Sequence, residues 1–283
     1  MPSQKNNTYP TPDQPRQVRL DSTTFCNAKC VSCHGLISDR KGRMPEDLIL
    51  SVLKDISKWP KPLEEIVPVN YGEFFTLPDW YKLLKLIETN LPRTKIVIPT
   101  NGSLLNKESI ALLATVQTVN LLNFSINAYF DETYEAFTKL PAATMENIKL
   151  TINQIHVERP DIMVRVSMVF DPSYQSDFER DMFIQTWRTI AEPWILPAAS
   201  CGRGTALLIP RITPCRSLFS DFVVGFDGKL SSCCFDAGMI LDAGEYSGDL
   251  LKDWKNPKLE EIRRIHNSYC RSDIDLCNHC TYA

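Results

Sequence analysis

The sequence predicts an α/β protein, a partial (β/α)6 TIM-like barrel followed by a small unit built from a β-hairpin and a helix. Three observations carry this expectation. Apolar runs with strand character alternate with stretches of helical period from residue 17 to about 200; past residue 200, Pro, Gly and Cys thicken; and the cysteines fall into two groups, three at 26–33 and seven at 201–280. A β-α-β-α order implies parallel strands joined by right-handed crossovers. Six such units suit a partial barrel better than an open doubly wound sheet.

The elements follow in order. MPSQKNNTYPTPDQPRQ is polar and Pro-rich without the apolar run of a secretory signal, so residues 1–16 read as a flexible lead-in. Strand-like runs lie at 17–21, 65–70, 95–99, 119–126, 163–170 and 194–198. Between them, helical periodicity marks 45–59, 79–90, 107–115, 131–140 with 145–157, and 176–191. FVVGFDGKLSSCC then reads as a hairpin turning at Asp227-Gly228, and LEEIRRIH as a helix. The change in pattern sets a domain boundary between 17–200 and 201–283.

Composition excludes several classes. A net charge of −3, a pI near 5.9 and the lack of a Lys/Arg run argue against nucleic acid as a partner. No apolar stretch approaches the ~20 residues of a membrane helix. The chain therefore reads as cytoplasmic, where ten cysteines point to metal or redox chemistry rather than disulfides. Neither GxGxxG nor GxxxxGK[ST] occurs, so no dinucleotide or P-loop site is expected.

CNAKCVSCHG puts Cys26, Cys30 and Cys33 just after the first strand, where α/β ligand sites gather. The spacing i, i+4, i+7 also fits one face of a core helix. Zinc would need a fourth donor, which His34 offers. The third reading is an iron–sulfur cluster on three thiolates, with one iron left open. C-x3-C-x2-C at this place resembles the signature of the radical S-adenosylmethionine (SAM) superfamily. The resemblance implies that SAM chelates the open iron of a [4Fe-4S] cluster and is cleaved to a 5′-deoxyadenosyl radical by a flavodoxin- or ferredoxin-type reductant's electron.

Further positions carry the likeness. VNYGEFF stands where the family usually has Gly-Gly-Glu-Pro; Gly72 and Glu73 match, Tyr71 and Phe74 differ, and the resemblance implies that this segment's backbone and Glu73 hold the methionine amino group. IPTNGSLL matches the family's Thr-Asn-Gly and brings in Asn101. LNFSINAYFDETYEAF resembles its Ser-x-Asp, with Asn127 where Asp is common, and implies Ser125 and Asn127 near the ribose. Ser32 replaces the aromatic that usually covers the adenine, so the adenine needs another partner. Taken singly, Glu73 also suits a helix first turn and Asn101-Gly102 a plain turn. Arg165, on the fifth strand, faces either a substrate or cofactor carboxylate or the solvent.

The second cysteine group resembles the SPASM/twitch extension found behind many such barrels. That likeness implies a four-thiolate auxiliary [4Fe-4S] cluster on Cys215, Cys233, Cys277 and Cys280, with seventeen residues between the first two and C-x2-C closing the set. Adjacent strand residues point apart, so only one of Cys233 and Cys234 ligates, and family spacing favours Cys233. A zinc ribbon with the same four thiols is the open alternative. Cys201, Cys234 and Cys270 are left over, as buried thiols or as hydrogen-atom donors to a substrate radical. The layout resembles the 2-deoxy-scyllo-inosamine dehydrogenase type, and also epimerising and peptide-modifying relatives. It implies an oxidoreductase that takes a hydrogen atom from an unactivated C–H bond of a small-molecule, natural-product or sugar-like substrate. The alternatives are a radical epimerase, a ribosomal-peptide-modifying enzyme and a non-catalytic zinc-binding interaction module.

Overall fold

The structure, a computed structural model, describes residues 8–198, 212–278, 280 and 281. Six strands follow in chain order: β1 (Gln17–Leu20), β2 (Glu65–Val67), β3 (Lys95–Thr100), β4 (Val119–Ser125), β5 (Met163–Phe170) and β6 (Glu192–Pro197). Each pairs in parallel with the next. The connections carry α1 (Glu46–Ile56), α2 (Trp80–Asn90), α3 (Lys107–Leu113), α4 (Asp131–Thr138) with α5 (Ala143–Glu158), and α6 (Asp177–Trp187). This is the expected mixed α/β architecture, consistent with a partial TIM-like barrel.

Strand alternation sorts the side chains. Val18, Leu20, Ile66, Ile96, Ile98, Leu122, Phe124, Val164 and Val166 share one buried core with the helices. In α1 the stripe facing that core is Ile49, Val52, Leu53 and Ile56, spaced i, i+3, i+4, i+7. Each such side chain contributes roughly 1.5–3 kcal/mol on burial. The opposite, concave face carries Arg19, Val97, Asn123, Ser125 and Arg165, all half-buried.

Two expectations change. The hairpin forms, as β7 (Asp221–Val224) and β8 (Leu230–Ser231), but β7 pairs in parallel with β1, so the hairpin prolongs the barrel sheet in the order β6-β5-β4-β3-β2-β1-β7-β8. Its buried Phe222 and Val224 continue the apolar row of β1. The lead-in is not flexible over its described part. The Tyr9 amide donates to Asn267 Oδ1 at 3.0 Å, the Tyr9 ring lies 5.3 Å from that of Phe219, and Trp254 Nε1 donates to the Pro12 carbonyl at 2.9 Å. A polar, Pro-rich composition conceals how few contacts hold such a segment down.

Beyond the hairpin come α7 (Leu250–Trp254), α8 (Pro257–Asn267) and α9 (Asp275–Asn278). Asn256 caps α8 through its side chain, accepting from the Leu259 amide at 3.0 Å, with Pro257 at the first helical position. Among the described residues no helix is long and apolar enough to cross a membrane.

Candidate functional site

Residues 26–33 form a loop rather than a helix, which removes the core-helix reading of the three cysteines. The loop is pinned at both flanks. The Lys29 and Val31 amides donate to the Thr138 and Phe137 carbonyls at the end of α4, both at 2.9 Å, and the Cys33 amide donates to the Cys30 carbonyl at 2.9 Å. Burial, with smaller contributions from the neighbouring Cys33 and Glu73, pushes the Cys26 thiol up to about 11 and the Cys30 thiol up to about 12, which places the three thiols together. His34 lies buried with its ring 4.9 Å from that of Phe235.

Three strand ends converge on this loop. Gly72 lies against it so closely that a Cβ there would sit 2.2 Å from the Thr23 carbonyl oxygen, and the next amide, of Glu73, donates to the Phe25 carbonyl at 2.8 Å. Glu73, 2% exposed, is a strut between β2 and β3: Oε1 accepts from Thr100 Oγ1 at 2.7 Å and from the Phe75 amide at 3.2 Å, and Oε2 accepts from the Asn101 amide at 2.6 Å. Asn101 Nδ2 donates to Asn27 Oδ1 at 2.9 Å and lies 3.9 Å from Cys26 Sγ. Asn127 takes a left-handed conformation at φ 64°, and its Oδ1 accepts from the Val169 amide at 2.8 Å, stapling β4 to β5. Ser125 stays half-buried on the concave face.

Arg165 does meet a carboxylate, but one of this chain. In-register Glu192 bonds its Nε and Nη2 at 2.8 and 2.7 Å, and the guanidinium lies 4.8 Å from the Trp194 ring centre. The sequence reading overlooked Arg19, whose alternation with Val18 and Leu20 is the signal for an inward side chain. Among the described residues Arg19 has no hydrogen-bond or ion-pair partner at its buried Nε.

The second cysteine group also assembles. Cys215, Cys233, Cys277 and Cys280 line one cavity together with His266 and Arg271. Burial pushes Cys277 up to about 12 while the charge of Arg271 opposes it. Cys234, half-buried, lines the same cavity, with Arg19 on β1, Asp221 on β7 and Cys215 among its electrostatic neighbours; Cys233 packs with Cys215, Leu218 and Phe219. Of the other leftover thiols, Cys270 is exposed beyond α8, and Cys201 lies outside the described residues.

The two cysteine sites interlock. The Tyr71 hydroxyl donates to the Cys234 carbonyl, Asn70 Nδ2 donates to the same oxygen at 3.5 Å, the His34 and Phe235 rings touch, and Ser38 Oγ donates to the Ala237 carbonyl at 3.0 Å. Tyr71 is where the sequence departs from the usual Gly-Gly-Glu-Pro, and the departure supplies this link.

Comparison with known proteins decides the family. The model of the radical SAM superfamily matches residues 20–182. The chain belongs to the radical SAM superfamily. It is 28% identical over 132 residues, 46% of its length, to the AdoMet-dependent heme synthase of Methanosarcina barkeri, and it spans about a third of the length of the curated relatives it matches. In fold it is similar to BtrN solved with AdoMet and 2-DOIA, at a TM-score of 0.70 and 16% identity over 95% of this chain and 94% of that one. It is also similar to SuiB of Streptococcus suis bound to the precursor peptide SuiA, at a TM-score of 0.66 and 15% identity over 96% and 70%. The protein is thus a radical SAM enzyme, and the family uses a [4Fe-4S] cluster and AdoMet.

The residues present fit such a cluster. One loop offers three thiols, and the fourth donor that zinc would need, His34, is packed against Phe235. Among the described residues no group of three or more His, Cys, Asp or Glu side chains is arranged to hold a single metal ion. A four-iron cube spreads its thiolates wider than the ~2.3 Å bonds of tetrahedral zinc allow.

Asp21 beside this site yields a stability prediction. It is 1% exposed, accepts from the Tyr71 amide at 3.3 Å, and burial pushes it up to about 6 from 3.8. Between those two values the folded chain keeps a proton that the unfolded chain has lost, so stability falls as pH rises through this window and stays lowered above it, by on the order of 3 kcal/mol. Asp21→Asn is expected to raise the thermal midpoint of the cluster-free protein at pH 7 and to flatten its pH dependence between 4 and 6, followed by circular dichroism. An unchanged slope would mean that Asp21 ionises freely.

Proposed function

We propose that the enzyme oxidises an unactivated carbon of a small, polar, sugar-like molecule, with Cys26, Cys30 and Cys33 holding the catalytic cluster and Cys215, Cys233, Cys277 and Cys280 an auxiliary one. The observation that carries this reading is the interlock of the two cysteine sites through Tyr71 and Phe235, which ties the segment of Cys233 and Cys234 to the segments flanking the first cysteine loop. When bound, the first cluster supplies an electron, delivered by a flavodoxin- or ferredoxin-type protein, that splits the sulfonium of SAM. Gly72 admits the loop backbone to the end of β2, Glu73 fixes that end against Asn101, and Ser125 and Asn127 border the ribose. Asn123, Ser125 and the Arg165–Glu192 pair give the concave face polar groups suited to hydroxyls and amines, and Arg19 adds a cation whose buried Nε has no partner among the described residues. In this reading the substrate would lose a hydrogen atom to the 5′-deoxyadenosyl radical, a proton to solvent, and its second electron to the cluster that Cys215, Cys233, Cys277 and Cys280 would hold. That BtrN, of similar fold, was solved with 2-DOIA supports a small-molecule substrate.

The experiment compares the wild type with Cys277→Ala and Cys280→Ala variants, incubated anaerobically with reductant, SAM and metabolite extracts. The wild type is expected to give a product two mass units lighter than its substrate, whereas the variants still release 5′-deoxyadenosine but form no such product. Cys234, a fifth thiol lining the auxiliary cavity, favours a second reading, epimerisation by a thiol hydrogen donor. A product of the substrate's own mass in ordinary water, one mass unit heavier when formed in heavy water, would establish it and overturn oxidation.

A further inference from the structure

His266 closes the last turn of α8 and is completely buried. Its Nδ1 accepts from the Cys215 amide at 3.1 Å, so the ring's lone pair lies there and the neutral imidazole carries its proton on Nε2. Nε2 is also buried, and among the described residues no protein atom accepts from it. A buried donor left without an acceptor is destabilising, a penalty that Leu or Phe at this position would avoid. The ring lines the cavity formed by Cys215, Cys233, Cys277 and Cys280. The acceptors that belong in such a cavity are the sulfurs of a cluster. Arg271 reinforces the polarity: it is 2% exposed, donates to the Thr213 carbonyl at 3.1 Å and the Cys280 carbonyl at 3.5 Å, and its charge favours the thiolates of Cys215 and Cys277.

We propose that His266 donates a hydrogen bond from Nε2 to the auxiliary cluster and thereby raises its one-electron reduction potential, making the cluster an electron acceptor rather than a structural staple. The proposal rests on the reading that those four thiols hold a cluster. Adding an electron puts a further negative charge on the iron–sulfide core, and a donor aimed at its sulfurs stabilises the reduced form more than the oxidised one. His266 acts through the cluster as a positioning and tuning residue; Cys215 is tied to it by the same ring.

The test uses the full chain, reconstituted anaerobically, with Cys26, Cys30 and Cys33 changed to Ala so that only the auxiliary cluster contributes. A dithionite titration followed by electron paramagnetic resonance reads the potential without reference to activity. Relative to this parent, His266→Phe is expected to shift the reduction equilibrium about tenfold toward the oxidised form, ~59 mV for one electron. His266→Asn, whose side chain keeps an acceptor for the Cys215 amide but whose amide N–H groups stop short of the position of Nε2, is expected to shift it likewise, and the longer His266→Gln to recover part of the difference. Either His266→Phe or His266→Asn holding its four irons at the parental potential overturns the proposal. A parent that binds no iron overturns the auxiliary-cluster reading, and the proposal with it; iron analysis before the titration tells the two failures apart.

Discussion

Changing Cys26, Cys30 and Cys33 to Ala is expected to remove about four irons per chain and to reduce formation of 5′-deoxyadenosine to background, while the iron held by the second cysteine group stays in place. Each single change should do nearly as much harm as the triple. The three thiols act as one unit, and losses within such a unit do not add. Of the nearby side chains, Asn101 is committed to Asn27 and Ser103. Burial pushes the Cys26 and Cys30 thiols up to about 11 and 12, so as free thiols these two are protonated at neutral pH. Loading the site therefore releases protons and is favoured as pH rises. Iron analysis and chromatography of the cleaved cofactor check the prediction; a single variant that kept both its iron and its cleavage activity would remove that cysteine from the ligand set.

Much of this architecture was legible in the sequence, because its signals are local. Period-2 and period-3.6 patterns fix which residues form strands and helices, and the loop cysteines declare themselves by spacing. The pairing of β7 with β1 was not legible, since no local pattern links segments so far apart in the chain; backbone pairing and the packing of Phe222 and Val224 beside Val18 and Leu20 join them. Nor was the docking of Tyr9 and Pro12, where two hydrogen bonds to α8 and Trp254 order a segment whose composition suggests disorder. At the site, residue types were readable but partners were not. Arg165 and Glu192 are cross-strand neighbours 27 positions apart, and a cation in an alternating strand does not say which carboxylate it meets. Tyr71 looked like a defect in a Gly-Gly-Glu-Pro pattern; its role becomes visible only with the Cys234 carbonyl above it.

Gly72→Ala should be the most damaging single-methyl change near the site. The added Cβ would lie 2.2 Å from the Thr23 carbonyl oxygen and 2.8 Å from that of Phe25, and both obstacles are backbone, so no side chain can swing aside. The loop that begins at Thr23 and carries Cys26 would have to part from the end of β2. That separation breaks the bond from the Glu73 amide to Phe25, and with it the alignment of Glu73, Thr100 and Asn101. Overpacking commonly costs 1–3 kcal/mol, and with no mobile neighbour the loss here should reach about 3 kcal/mol or more. For a chain of this size that is a fall of roughly 6–12 °C in thermal midpoint. Cofactor cleavage should fall further than stability alone accounts for, by about 100-fold at temperatures where the variant is still folded, because a displacement near 1 Å is enough to spoil the approach of reacting groups. Melting curves and 5′-deoxyadenosine yields from the same preparations separate the two effects. If the variant melts early yet cleaves SAM at the wild-type rate when folded, the contact of β2 with the cysteine loop serves stability and leaves cofactor alignment to other residues.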